Sequence, residues 1–262
     1  MISFAAITPH APLLIPGVAK EGGEKLKITK EAMEDLQKKI EAAGLDSLLI
    51  ISGHKKMHHD AFGILTSDKY NINFKDFGDF ETKLEFSPDL ELIEKIRHTA
   101  IDNGVSFSLV HEHNPGYAFG VPLYYLAKNQ PLKIIPFLHS YSDIKDQFEM
   151  GKMIKQILAD SNKKIGILAS GHLSHKSTET GPSGFSKKGE EFNLKIRELL
   201  ETKNTAGILS LDKKLLEDAD ESIMPALAVL LGIIDRVNYK PQTFSFEAPL
   251  GVGYLVFNFK LL

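Results

Sequence analysis

Short apolar runs recur along the chain, each stopped by a polar or turn residue, and longer stretches with helical spacing lie between them. Residues 2–8 (ISFAAIT) form the first run, ended by Pro9. SLLIIS (47–52), VSFSLV (105–110), LKIIPFL (132–138) and KIGILAS (164–170) form four more. Runs of this length, rich in β-branched residues, read as buried strands. Over 24–43, Leu26, Met33, Leu36 and Ile40 recur at helical spacing, with Gly44 as a C-terminal cap. Ser87 and Pro88 open a helix running to Asn103, with Leu90, Ile93, Ile96 and Ala100 on one face. Further helical segments fall near 121–129, 142–160, 187–203 and 221–236, and residues 70–86 read as irregular strands or a long excursion. QTFSFE (242–247) and VGYLVFNF (252–259) read as an antiparallel pair. Strands alternating with helices predict an α/β fold: a central, mostly parallel sheet flanked by helices on both faces. With no linker, repeat or low-complexity tract, residues 1–262 are expected to form a single domain.

Composition narrows the partners. Hydrophobic residues make up 43% and charged residues 25%, the balance of a soluble globular protein. The net charge of -3 is scattered, without a basic stripe, so no nucleic-acid partner is expected. No apolar run approaches the roughly 20 residues of a membrane helix, and the N-terminal stretch lacks a charged leader. A cytoplasmic protein with no membrane partner is the expectation. The absence of cysteine excludes disulfides, thiolate metal ligands and thiol nucleophiles.

The residues with catalytic potential follow the predicted strands. His10 lies just past the first, His54 just past LLIIS, and His139 ends LKIIPFL. His172 and His175 follow IGILAS, and Glu247 ends TFSF. Ligands of open α/β sheets bind beyond the carboxyl ends of the strands, so parallel neighbours would converge these groups on one crevice. Two histidines and a carboxylate on one face of an ion leave positions open for substrate and O2, as in non-haem Fe(II) oxygenases; imidazole suits Zn, Cu and Ni as well. A further histidine off the metal can act as acid or base near neutrality. His111 and His113 also follow a strand and are candidates for lid or substrate contacts. His58 and His59 read as solvated loop residues, and His98 as a structural residue of its helix. Lys55 and Lys56 suit either an anionic substrate or a solvated loop.

TPHAPLLIPGV (8–18), IISGHKKM (50–57), GVPLYYL (120–126), ASGHLSHK (169–176), GPSGF (181–185) and FEAPLGVGY (246–254) occur in an order that resembles the class III extradiol ring-cleavage dioxygenases. The set is similar to the catalytic-subunit-like proteins associated with the AmmeMemoRadiSam system and to the beta subunit of protocatechuate 4,5-dioxygenase. The resemblance implies an α/β domain with an iron ion held by His10, His54 and Glu247, and with His175 as the catalytic acid and base. It implies Fe(II), with Zn or another divalent ion as substitute, an aromatic diol and O2 as substrates, and a homodimer. The chain departs from the family at Gly116-Tyr117-Ala118, where relatives often carry Asp-His-Gly, and at His172, where many carry Asp. Tyr117, His172 and His139 are the residues expected to line the substrate. Memo proteins resemble the same fold but carry cysteine as third ligand; a Memo-like metal-binding protein without ring cleavage is the alternative, and a zinc hydrolase on the same ligands a third reading.

Overall fold

The computed structural model describes residues 1–53, 61–179 and 181–262, leaving aside the side chains of residues 20–22. The strands are β1 (Ile2–Thr8), β2 (Ser47–Ser52), β3 (Phe62–Thr66), β4 (Tyr70–Phe74), β5 (Asp79–Phe86), β6 (Phe107–His111), β7 (Lys133–Leu138), β8 (Ile165–Ser170), β9 (Tyr239–Glu247) and β10 (Tyr254–Leu261). The helices are α1 (Pro16–Ala19), α2 (Lys27–Ala43), α3 (Leu90–Asp102), α4 (Tyr117–Leu126), α5 (Ile144–Ala159), α6 (Lys187–Glu201), α7 (Thr205–Leu209), α8 (Lys213–Ala219) and α9 (Met224–Ile233).

Among the described residues, eight strands form one sheet in the order β6-β3-β7-β2-β8-β1-β10-β9. The four central strands, β7, β2, β8 and β1, are parallel. Strand β3 is antiparallel to β7 and parallel to β6, while β10 runs antiparallel to both β1 and β9. This is the expected α/β domain, mostly parallel at its centre.

Alternation along each strand splits the core into two faces. Ile7, Ile51, Phe137 and Ala169 face a core filled by Leu92 of α3, Ile154 of α5, Phe192 of α6 and Val229 of α9. Ala6, Ile50, Leu138 and Leu168 face a second core, with Met33 and Leu36 of α2 and Phe119 and Leu123 of α4. Helix α2 ends where its pattern predicts, with Gly44 left-handed at φ 58°. Helix α3 is capped by Asp89, whose side chain accepts from the Leu92 N–H, and not by Ser87 or Pro88. Residues 70–86 resolve into β4 and β5, an antiparallel pair outside the main sheet.

Candidate metal centre and its histidine cluster

Parallel pairing puts the carboxyl ends of β7, β2, β8 and β1 on one edge of the sheet. Two reversals, β1 to β10 and β10 to β9, return β9 to the direction of β1. Glu247, the last residue of β9, therefore reaches the same edge, with Tyr254 of β10 opposite it in register. Strands β6 and β3 run the other way, which corrects the expectation for His111 and His113. His111 ends β6 away from this edge, and His113 pairs with Ser67 Oγ at 2.6 Å. His98, read as structural, lies on the exposed side of α3 beside Glu94.

His10 is fully buried two residues past β1. Its Nδ1 lies 2.9 Å from Ser170 Oγ, and that hydroxyl donates its only hydrogen to the Ala118 carbonyl at 2.6 Å. Ser170 must then accept from His10, so Nδ1 carries the proton and Nε2 the lone pair. Metal-binding histidines are oriented in this way by a partner on the other ring nitrogen. The His172 ring packs edge-on against His10, with centroids 4.3 Å apart, and stands 5.4 Å from Tyr254 and 5.6 Å from His175. Ser222 clamps the His172 backbone from both sides: its Oγ accepts from the His172 N–H at 3.0 Å and its N–H donates to the His172 carbonyl at 3.1 Å.

His175 is held by the turn after α8. Its N–H meets the carbonyls of Ala219 and Asp220, and its Nδ1 lies 2.5 Å from the Asp220 carbonyl. A carbonyl only accepts, so Nδ1 is protonated here too and Nε2 is left as the basic nitrogen. Asp220 presents that carbonyl from a left-handed conformation, φ 51°.

Tyr117 opens α4 and packs edge-on against His10 at 5.6 Å and against Phe77 at 5.2 Å. Burial raises its pKa, so its hydroxyl keeps its proton. Burial and the nearby Glu247 charge push Tyr254 up to about 12. Glu247 Oε1 accepts from the Thr29 N–H at 2.9 Å and from the Thr29 hydroxyl, so α2 anchors the end of β9. His139 directly follows β7, two strands from β8, which His172 follows. Its Nδ1 donates to the Ser140 carbonyl at 2.9 Å, and Nε2 turns toward Gly53, where a Cβ would lie only 2.1 Å away. A larger residue at that position of the β2 exit would have to displace the His139 ring.

The structure thus brings His10, His172, His175 and Tyr117 together, with Tyr254 linking them to Glu247. His54 lies outside the described residues, as do Lys55, Lys56, His58 and His59. Among the described residues no three histidines or carboxylates are placed to hold a metal. His10 and Glu247 supply an imidazole and a carboxylate on one edge, a donor pair that suits a divalent first-row ion. Sequence reasoning passed over Ser170, Tyr254, Thr29 and Asp220. The turn within FEAPLGVGY, which folds Tyr254 back across from Glu247, is the one sequence signal for Tyr254.

The fold is that of an α/β protein, with a cluster of polar groups at the carboxyl edge of its sheet, where open α/β sheets bind ligands. The family described as "Catalytic LigB subunit of aromatic ring-opening dioxygenase" matches residues 4–257. The chain belongs to that family. Protein CA_C1420 of Clostridium acetobutylicum is 26% identical over 258 residues, 95% of this chain and 55% of that protein, so the chain spans about half the length of this relative. The crystal structure of uncharacterized protein JW3007 from Escherichia coli K12 superposes with a TM-score of 0.67 at 13% identity, over 98% of this chain and 99% of that one, a likeness of fold. Among the described residues, no helix is long and apolar enough to cross a membrane.

Proposed function

We propose that this chain is an Fe(II)-dependent extradiol dioxygenase that opens the ring of an aromatic diol with O2, the ion being held by His10, His54 and Glu247. The observation that carries this reading is the hydrogen-bond lock on two histidines of the site. Ser170 fixes His10 with its Nε2 lone pair as a donor, and the Asp220 carbonyl fixes His175 with its Nε2 as a base. Membership of a family described as a ring-opening dioxygenase subunit supports reading these two nitrogens as a metal donor and a base.

Held by His10, His54 and Glu247, Fe(II) would supply the Lewis acidity that eases deprotonation of the diol and the redox chemistry that O2 requires. His175 Nε2 takes the hydroxyl proton of the diol and returns it as the ring opens. Tyr117 and Tyr254 keep their protons and donate hydrogen bonds, which stabilise charge that develops on oxygen. His172, packed against His10, closes the wall where many relatives carry Asp. One O2 is consumed per diol, both atoms enter the product, and no outside reductant is required.

The test is O2 uptake by anaerobically iron-loaded protein against a panel of catechols. Uptake equal to diol consumed, with a yellow ring-opened product, is the expected result. Stoichiometric iron with no uptake on the whole panel would replace this reading with a Memo-like metal-binding protein.

A further inference from the structure

A cavity lies behind two of the segments that support the histidines. A cleft of about 520 Å³ opens between the segment following β7 and the turn that leaves α8, a volume within the range of small-molecule sites. One wall begins at Tyr141, whose ring packs edge-on to His139 at 6.3 Å. The other wall is Asp220 and Glu221; the Asp220 carbonyl is the group that holds His175. A molecule in the cleft therefore lies against the segment that follows His139 and against the turn whose carbonyl holds His175.

The lining states what kind of molecule fits. Ile144, Leu211 and Leu216 give it an apolar floor, with Tyr141 beside them. Lys213 stands 4.0 Å from Glu217 and is offset by it. Asp143, Asp220 and Glu221 then face a single further cation, Lys145. The Glu221 carboxyl accepts from the Met224 N–H at 2.7 Å at the start of α9, which fixes it in the wall. Its burial pushes its pKa up to about 7, so above that pH it carries a charge that burial disfavours and that a cation beside it would offset.

We propose that this cleft is a subsite for an organic cation with an apolar body, a protonated amine on a short aryl or alkyl arm, anchored by Glu221 with Asp143 at the rim. The inference stands apart from the ring-opening reading above, because none of the residues assigned to the ion or to proton transfer lines this cleft. The cleft itself is a property of the folded chain and is tested apart from turnover.

Calorimetric titration of the whole chain with 2-phenylethylamine, 2-phenylethanol and 3-phenylpropionate compares matched ligands that differ in charge and cannot be ring-cleaved. The amine is expected to bind, the alcohol more weakly and the acid least. Glu221→Gln, which retains an acceptor for Met224, should weaken the amine about tenfold and leave the alcohol unchanged. Asp143→Lys changes an exposed side chain that makes no capping bond, and it should weaken the amine as well. Equal affinity for all three ligands, or amine binding untouched by both substitutions, would overturn the proposal. Amine binding in a protein that opens no catechol would leave the cleft standing and remove only the ring-opening reading.

Discussion

At the scale of single residues, the account turns on which nitrogen of each histidine carries the proton. His175 has its Nδ1–H tied to a carbonyl, and replacing it should remove a base without touching the metal. His175→Gln is expected to keep full metal content and lose about 100- to 10,000-fold in turnover, the usual worth of a general base. Metal analysis beside single-turnover kinetics checks both halves. Glu221 offers a test by pH. Its folded pKa, about 7, lies above its ordinary 4.5, so the folded chain keeps a proton that the unfolded chain releases. Stability should fall as pH rises from about 4.5 to 7 and level off above, at a cost on the order of 3 kcal/mol. Glu221→Gln should therefore raise the melting temperature at pH 8 and leave it nearly unchanged at pH 4.5. An equal gain at both pH values would mean that the carboxyl is not held protonated by burial.

Among elements, β8 does two jobs. Its parallel pairing with β1 and β2 sets the carboxyl edge, and its last residue, Ser170, bridges His10 to the Ala118 carbonyl. Ser170→Ala strands both partners. It should lower metal affinity about 10- to 100-fold, as loss of such an orienting partner typically does, and a chelator competition titration reads that directly. Helices α5 and α9 cross with backbones nearly touching: a Cβ on Gly151 would lie 2.1 Å from the Val229 carbonyl, and one on Gly232 2.1 Å from that of Phe148. Gly151→Ala should cost ~1–3 kcal/mol or more through overpacking, visible as a lower urea midpoint with unchanged slope. The sequence pattern located β1 and β2 residue for residue, because each is an unbroken apolar run closed by a polar stop. It passed over β3, five residues directly behind a histidine- and lysine-rich stretch, and over the short helices α7 and α8. It began α4 four residues late, since Tyr117–Gly120 with Pro122 close by reads as loop.

For the whole molecule, the legible part of the site was the part that each strand carries by itself. His10, His175 and Glu247 stand at strand ends, and position after a run is enough to nominate them. What the sequence leaves out is long-range. The pairing of Ser170 with His10 spans 160 residues, and Thr29 grips Glu247 across 218. The direction of β6 depends on β3, so His111 and His113 looked like site residues until the sheet order placed their end of the strand away from the edge. The central claim is that one edge of the sheet binds one divalent ion through residues from three strand ends. The most direct test is metal quantification after anaerobic Fe(II) loading of the wild type and of His10→Ala, Glu247→Ala and His175→Ala. The account predicts one iron per chain in the wild type and in His175→Ala, and loss of iron in the other two. Full iron retained in Glu247→Ala, or iron lost with His175→Ala alone, would contradict it.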